Sequence, residues 1–365
     1  MADRSDTLLA ATRKGLFTLR ADAGRSWAAA GPPAFLGEPV SALLSDPRDG
    51  TLYAALRLGH FGVKLHRSRD GGVSWEEVAA PSFPAEADGP EDATSVDMIW
   101  TLEAGDPDTP GHLWAGTLPA ALFESRDHGE NWRRVDALWR VPERAEWFGG
   151  GYDDAGLHSI LVDPRDPARL TVAISCGGVW KSDDAGASWR LVGQGLRNDY
   201  LPPDRAYDPG PQDPHRLAHC AAAPNVVWCQ HHNGVFRSED GGETFEEIRD
   251  IRPSVFGFAV AAHPHDPATA WFVPAVKDAC RVPVDGRLVV TRTSDGGRAF
   301  EAFGEGLPAA GCYDLVYRHA LAVDTTGDRL AMGSTTGSLW TSADGGQRWA
   351  AVTAHLPPIA QVAFA

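Results

Sequence analysis

No stretch of this 365-residue chain approaches the ~20 consecutive apolar residues that a membrane-spanning helix needs. Positive charge is not in surplus either: 33 Lys and Arg stand against 49 Asp and Glu, for a formal net charge of −16. No basic cluster offsets that balance locally, which argues against nucleic-acid backbone and anionic membrane surfaces as partners. Cysteine is sparse and unpatterned. Cys176, Cys220, Cys229, Cys280 and Cys312 form an odd, widely spaced set without C-x-x-C, as expected of reduced thiols in a cytoplasmic protein. The opening MADRSDTLLAATRKG carries acidic residues and no long apolar core, so no secretory signal peptide is expected. Signatures of phosphate and acyl chemistry are missing too. There is no P-loop and no Rossmann fingerprint; no helix is expected after Gly149, Gly150 and Gly151; and Ser334 in G-S-T-T-G lacks the strand-to-helix context of a nucleophile elbow.

What the chain has in quantity is glycine (39) and tryptophan (13), the ingredients of many tight turns and large packing anchors. These residues recur in register. Ser68-R-D-G-G-V-S-Trp75 returns as Ser125-R-D-H-G-E-N-Trp132, Ser182-D-D-A-G-A-S-Trp189, Ser238-E-D-G-G-E-T-Phe245, Thr293-S-D-G-G-R-A-Phe300 and Ser342-A-D-G-G-Q-R-Trp349, with a degenerate first copy, Arg20-A-D-A-G-R-S-Trp27. A fixed period of this kind marks a repeat architecture. Each copy has a local physical logic. The aspartate accepts backbone N–H groups of the turn, the second glycine supplies a positive φ, and the aromatic opens the next strand. Turn chemistry therefore accounts for these aspartates without a catalytic role.

Around each copy four short strands repeat, as in V-S-A-L-L-S, T-L-Y-A-A-L, G-V-K-L-H-R-S and S-W-E-E-V. Such a pattern reads as blades of an all-β, seven-bladed β-propeller. The expected blades are residues 7–30 plus 359–365, 38–80, 96–136, 157–193, 216–250, 255–304 and 313–353. The chain starts at a second strand and ends with the spare segment I-A-Q-V-A-F-A. Residues 359–365 should therefore complete blade one and remove its open edge.

The motif S-x-D-x-G-x-x-W resembles that of the Asp-box, or BNR-repeat, propellers, a family that includes sialidases, xyloglucanases, sortilin-type receptors and photosystem II assembly factors. The resemblance covers essentially the whole chain. More narrowly, the chain is similar to bacterial cytosolic proteins labelled sialidase-like or glycosyl hydrolase-like, a label that implies fold more than activity. Two departures bear on activity. The arginine-bearing F-R-I-P segment of sialidases has only Ala11-Thr-Arg13-Lys14-Gly-Leu-Phe as a counterpart, so a three-arginine clamp cannot be assigned and sialidase activity is not expected. Xyloglucanases of this type use two seven-bladed units, and one is present.

The propeller reading sorts residues between two rims. The Asp-Pro turns and the aspartate hairpins share one. The loops between second and third strands and the crossings between blades share the other, where ligands are expected. The second rim should hold His60, Cys176, His231 and His232 in equivalent loops, His158 and His319 at the upper ends of innermost strands, and His219 near the same level. Convergence of His60, His158, His219, His231 and His232 would suit a divalent metal, although no H-E-x-x-H or H-x-H spacing groups two of them; hydrogen-bonded structural histidines are the plainer alternative. Carboxylates and aromatics crowd the same rim: Trp147, Tyr152, Asp153 and Asp154 in one crossing, Tyr200 in the next, Lys277, Asp278, Cys280 and Arg281 in the blade-six insertion, and Tyr313 with Asp314 at the start of blade seven. Aromatic faces stack on sugars, and a carboxylate pair serves as acid and base. The expected catalytic groups are Asp153, Asp154, Asp278 and His158. The expected ligand contacts are His60, Trp147, Tyr152, Cys176, His231, His232, Lys277, Arg281 and Tyr313. The ligand is a small polar molecule or glycan, and the reaction, if any, a hydrolysis. A noncatalytic docking platform is the alternative, its acidic surface suited to a basic protein partner.

Overall fold

The computed structural model describes residues 5–22, 26–84 and 95–365. Within them lie seven four-stranded antiparallel sheets, arranged as the blades of a β-propeller. The innermost strands are Ile359–Phe364, Val40–Ser45, Met98–Ala104, Leu157–Val162, Pro214–Cys220, Gly257–Ala262 and Leu321–Val323 for blades one to seven. Each touches the next, and the seventh touches the first.

The ring is closed as the terminal pattern predicts. Ile359–Phe364 pairs antiparallel with Thr7–Thr12, with Leu8 opposite Phe364 and Ala10 opposite Val362. Inner strands of neighbouring blades are also stitched through side chains. The Gln361 amide accepts from the Leu43 N–H at 2.8 Å and donates to the Leu43 carbonyl at 3.0 Å. Ser41 Oγ donates to the Ile99 carbonyl at 2.9 Å.

Apolar packing lies between blades, because each sheet has two faces and both are covered by neighbours. Seven clusters, one per interface, draw residues from two adjacent sheets. Their anchors are Trp114, Trp180, Trp228 and Trp271, all fully buried. An indole of ~200 Å2 removed from water at ~25 cal/mol/Å2 gives an upper bound of about 5 kcal/mol of transfer free energy. That exceeds what a single turn hydrogen bond contributes, about 1 kcal/mol. The tryptophans therefore hold the blades together, while the hairpins set register.

The six complete hairpins have one geometry. The Asp Oδ1 of residues 70, 127, 184, 240, 295 and 344 accepts the backbone N–H four residues on at 2.8–3.0 Å. The Ser or Thr two residues before each aspartate donates to that same oxygen. The glycine after the turn is left-handed in each, as at Gly72 (φ 89°) and Gly346 (φ 83°). In two copies His128 (φ 59°) and Ala185 (φ 56°) take the left-handed position filled elsewhere by a first glycine. Ser26 N–H to Asp22 at 2.8 Å retains one bond of the degenerate first copy, whose residues 23–25 lie outside the described ones.

Two inner strands start elsewhere than the sequence pattern suggests. The blade-five strand begins at Pro214 rather than 216, and that of blade seven at Leu321 rather than near Tyr313. Residues 313–320 form a lead-in instead, in which Asp314 accepts from the hydroxyls of Ser334 and Thr336. All five cysteines are free thiols, and no helix among the described residues is long and apolar enough to cross a membrane.

Candidate functional site

The early start of the blade-five strand sets the site. Pro214 pairs with His231 across the first hairpin of that blade, and the next step outward is a bond from the His232 N–H to the Asp213 carbonyl at 3.0 Å. Alternation along a strand sends neighbouring side chains to opposite faces. His231 turns into the blade, edge-on to Phe236 at 5.3 Å, and His232 turns to the mouth of the channel. Both nitrogens of the buried His231 ring face backbone N–H groups, those of Asp213 and Asn233, each at 3.1 Å. Burial holds its pKa down at about 3, against an opposing pull from Asp213.

At the mouth three groups converge. His215 is fixed on two sides: its ring stacks on Phe258 (4.3 Å, 11°), and its Nδ1–H donates to the Gly257 carbonyl at 2.6 Å. Asp213 Oδ1 accepts from Ser175 Oγ at 3.0 Å and from the Cys176 N–H at 3.3 Å. Its Oδ2 faces His215 Nε2 at 3.5 Å and His232 Nδ1 at 3.4 Å. One donor atom from each of the three lies within 4.8 Å of the other two. Burial alone would raise the Asp213 carboxyl, but the two imidazoles and the Arg318 charge outweigh it and hold the group well below the usual carboxylate range. Gly150 lies over this carboxylate: a Cβ there would sit 3.4 Å from Asp213 Oδ2 and 3.0 Å from Cys176 Sγ.

Arg318 shares the mouth. Its guanidinium lies over the Trp100 and Phe258 rings, 4.9 and 5.5 Å from their centroids. Among the described residues no carboxylate comes within ion-pair distance of it, and its Nε is buried without a hydrogen-bond partner. Burial presses its pKa down, and Asp213 opposes that. Aromatic walls complete the bowl. Tyr152 meets Trp100 edge-on at 5.3 Å, Tyr200 meets His232 edge-on at 5.4 Å, and Tyr317 packs on Phe258 at 5.1 Å.

The structure brings some of the expected residues here and sends others elsewhere. His232, Tyr152 and Cys176 line or back the bowl. The Cys176 thiol lies 3.6 Å from the Tyr200 hydroxyl, and burial pushes its pKa up to about 12, which keeps it a thiol. His158 is buried at the head of the channel, Nδ1 on Ser159 Oγ at 3.0 Å and Nε2 without a partner. Asp153 and Asp154 are exposed on the crossing beside Tyr152. Lys277 is exposed, and Asp278 is tied to Arg281 at 3.0 Å, whose guanidinium lies 5.3 Å from the Phe258 centroid. Trp147 packs against Trp180 (5.9 Å) in the interface of blades three and four. Tyr313 is exposed. His60 sits exposed in the short turn Gly59–Phe61, its ring against Phe61 at 3.9 Å.

His219 requires a correction. It stands one residue before the Cys220–Ala223 end of the hairpin and borders a cavity with Asp163, Arg169 and Asn225, so it belongs to the opposite rim. The strand descends from Pro214 to Cys220, which carries residue 219 away from the mouth. Between the rims, a channel cavity of about 170 Å3 is lined by Thr101, Glu103, His158, Arg216 and His219. Above this cavity His319 Nε2–H donates to the His158 carbonyl at 2.8 Å, which joins blades four and seven.

Asp213, His215, Arg318, Trp100 and Phe258 are absent from the sequence expectations. The signal for the first two was present as Asp213-Pro-His215, one strand upstream of Gln230-His-His-Asn233. Placing the strand start at 216 hid it.

No protein-family model matches the chain. A xyloglucanase of Hypocrea jecorina is 26% identical over 154 residues, 36% of this chain and 18% of that protein. An oligoxyloglucan-reducing end-specific xyloglucanase of Emericella nidulans is 28% identical over 81 residues, 22% of this chain and 9% of that protein. The chain thus matches less than a fifth of the length of either. Among solved structures, the GH74 xyloglucanase from Xanthomonas campestris superposes over 96% of this chain and 53% of its own, with a TM-score of 0.65 and 17% identity. The periplasmic gluconolactonase of Pseudomonas aeruginosa covers 98% of both chains at a TM-score of 0.60 and 14% identity. YCF48 bound to D1 peptide covers 96% of this chain and 86% of its own at a TM-score of 0.54 and 13% identity. At these identities the likeness is one of fold, shared with xyloglucanases, a gluconolactonase and a peptide-binding protein alike.

Proposed function

We propose that the channel mouth binds a small polar ligand of the carbohydrate class that carries an anionic oxygen, and that the protein hydrolyses it. Arg318 carries the reading. A guanidinium held against Trp100 and Phe258, with a buried, unpartnered Nε and no carboxylate at ion-pair distance among the described residues, is a half-buried cation suited to an anionic partner from outside. The aromatic walls supply the stacking faces that sugar rings use. Asp153 and Asp154, exposed beside Tyr152, are the carboxylates we assign to acid and base roles. The partial sequence matches to two xyloglucanases support a glycosidic substrate class, and the repeated aspartate hairpins support kinship with the Asp-box propellers.

The test is a thermal-shift and calorimetric screen of xyloglucan oligosaccharides, uronic acids and aldonic acids against the protein and its Arg318→Gln variant. At least one acidic sugar should raise the melting temperature of the parent and leave the variant unmoved. If no carbohydrate binds and a basic protein is retained at one-to-one stoichiometry, the docking reading replaces this one. The YCF48 fold likeness and the net charge of −16 give that alternative its footing.

A further inference from the structure

We infer that Asp213, His215 and His232 form a binding site for one divalent transition-metal ion of the zinc type. The inference shares the bowl with the ligand reading but does not need it.

Distances carry the first part of the argument. If the imidazoles were merely hydrogen-bonded to the carboxylate, charge-assisted N–H to O separations of ~2.7–2.9 Å would be expected. The observed separations are 3.4 and 3.5 Å. Two metal bonds of ~2.0–2.1 Å at a tetrahedral angle place their donor atoms about 3.4 Å apart. Both nitrogens stand at ligand spacing from the carboxylate oxygen rather than at donor spacing, and the three atoms lie within 4.8 Å of one another.

The tautomer carries the second part. A carbonyl oxygen only accepts, so the 2.6 Å contact to the Gly257 carbonyl places the proton of neutral His215 on Nδ1. Its Nε2 lone pair then faces the Asp213 Oδ2 lone pairs in a site where both residues are buried. Two acceptors facing each other out of water repel unless a proton or a metal ion lies between them, and 3.5 Å is long for a charge-assisted hydrogen bond. Outer contacts are those that metal-binding side chains use: a backbone carbonyl for His215, and the Ser175 hydroxyl and Cys176 N–H for the second oxygen of Asp213. Two nitrogens and one carboxylate suit zinc and its neighbours rather than magnesium or calcium. Three protein ligands leave a position open, and the Arg318 guanidinium shares the Phe258 wall on which His215 stacks.

The experiment uses the full chain, stripped with a chelator and then titrated with Zn2+ alone, with metal content measured after gel filtration. Co2+ serves as a spectroscopic stand-in, its visible band reporting coordination. One equivalent should be retained, and His232→Ala and Asp213→Asn should each weaken binding more than ~100-fold, because even outer-shell partners are worth about 10–100-fold. His128→Ala, in a hairpin of the opposite rim, should bind like the parent. Far-UV circular dichroism keeps misfolded variants out of the comparison, and Asp213→Asn, being nearly isosteric, keeps the test valid if His232→Ala fails to fold. Failure of the parent to retain Zn2+ or Co2+, or equal retention by both triad variants, overturns the inference. A protein that binds metal and no sugar would end the ligand reading and leave this one; one that binds sugar and no metal would do the reverse.

Discussion

His319 and His158 stand three blades apart, yet the imidazole of one donates to the backbone carbonyl of the other at 2.8 Å. Inner strands of a propeller otherwise touch only their neighbours, so this bond spans the channel and separates the bowl above from the cavity below. His319 is buried, and truncating it leaves the His158 carbonyl without its partner. His319→Ala should cost about 1–3 kcal/mol, and His319→Gln, which can still donate, less. Urea unfolding of both variants checks this. Equal stability of His319→Ala and the parent would remove the strut from the account.

The two adjacent histidines of blade five should separate cleanly. His231 is enclosed by its own blade, and its one imidazole lone pair accepts from one of the two backbone N–H groups that face the ring, whereas His232 is part-exposed and faces the bowl. His231→Ala should lose about 2–4 kcal/mol through the cavity and one unpaired backbone donor, while His232→Ala should lose less than about 1.5 kcal/mol. Chemical denaturation of the pair decides it, and comparable losses would mean that the strand register has been misassigned.

Glu103 predicts a pH effect. It lies in the channel cavity near Arg216, half-exposed to channel water but walled by protein. Burial pushes its pKa up to about 7, against the opposing Ala104 N–H bond and the Arg216 charge. The folded pKa thus exceeds the unfolded value of about 4.3. The folded state holds the extra proton between those values, so this group's contribution to stability falls as pH rises from about 4 to about 7. Glu103→Gln removes the titration. Relative to the parent, the variant should be more stable at pH 8 than at pH 5, as read from urea midpoints at the two values. A pH-independent difference would place the Glu103 pKa near its ordinary value.

Much of the architecture was legible because it is encoded locally and repeated. Each hairpin states its own turn through an aspartate, a hydroxyl and a glycine, and the spare strand Ile359–Phe364 could be assigned because blade one lacked a partner. The site was legible only in part. His232 and Cys176 could be placed from their loops, but Asp213 and His215 precede the repeat unit as the pattern defines it. Arg318 lies in a lead-in that pairs with nothing regular. His219 shows the converse error: a strand only seven residues long, Pro214–Cys220, runs from one rim to the other, so a shift of few positions changes which side a histidine serves. Periodicity locates blades; it does not locate the residues that depart from the period.

The bond pattern at the chain's two ends also orders events in time. Residues Thr7–Thr12 are synthesised some 350 residues before Ile359–Phe364, the strand that flanks them. Six sheets can assemble from contiguous chain during synthesis, while the first waits with a bare flank until the 359–364 strand has been made. A nascent or prematurely stopped product would therefore show a sticky β surface that the finished molecule hides, and quality-control machinery would meet this protein as an almost-closed circle with one gap.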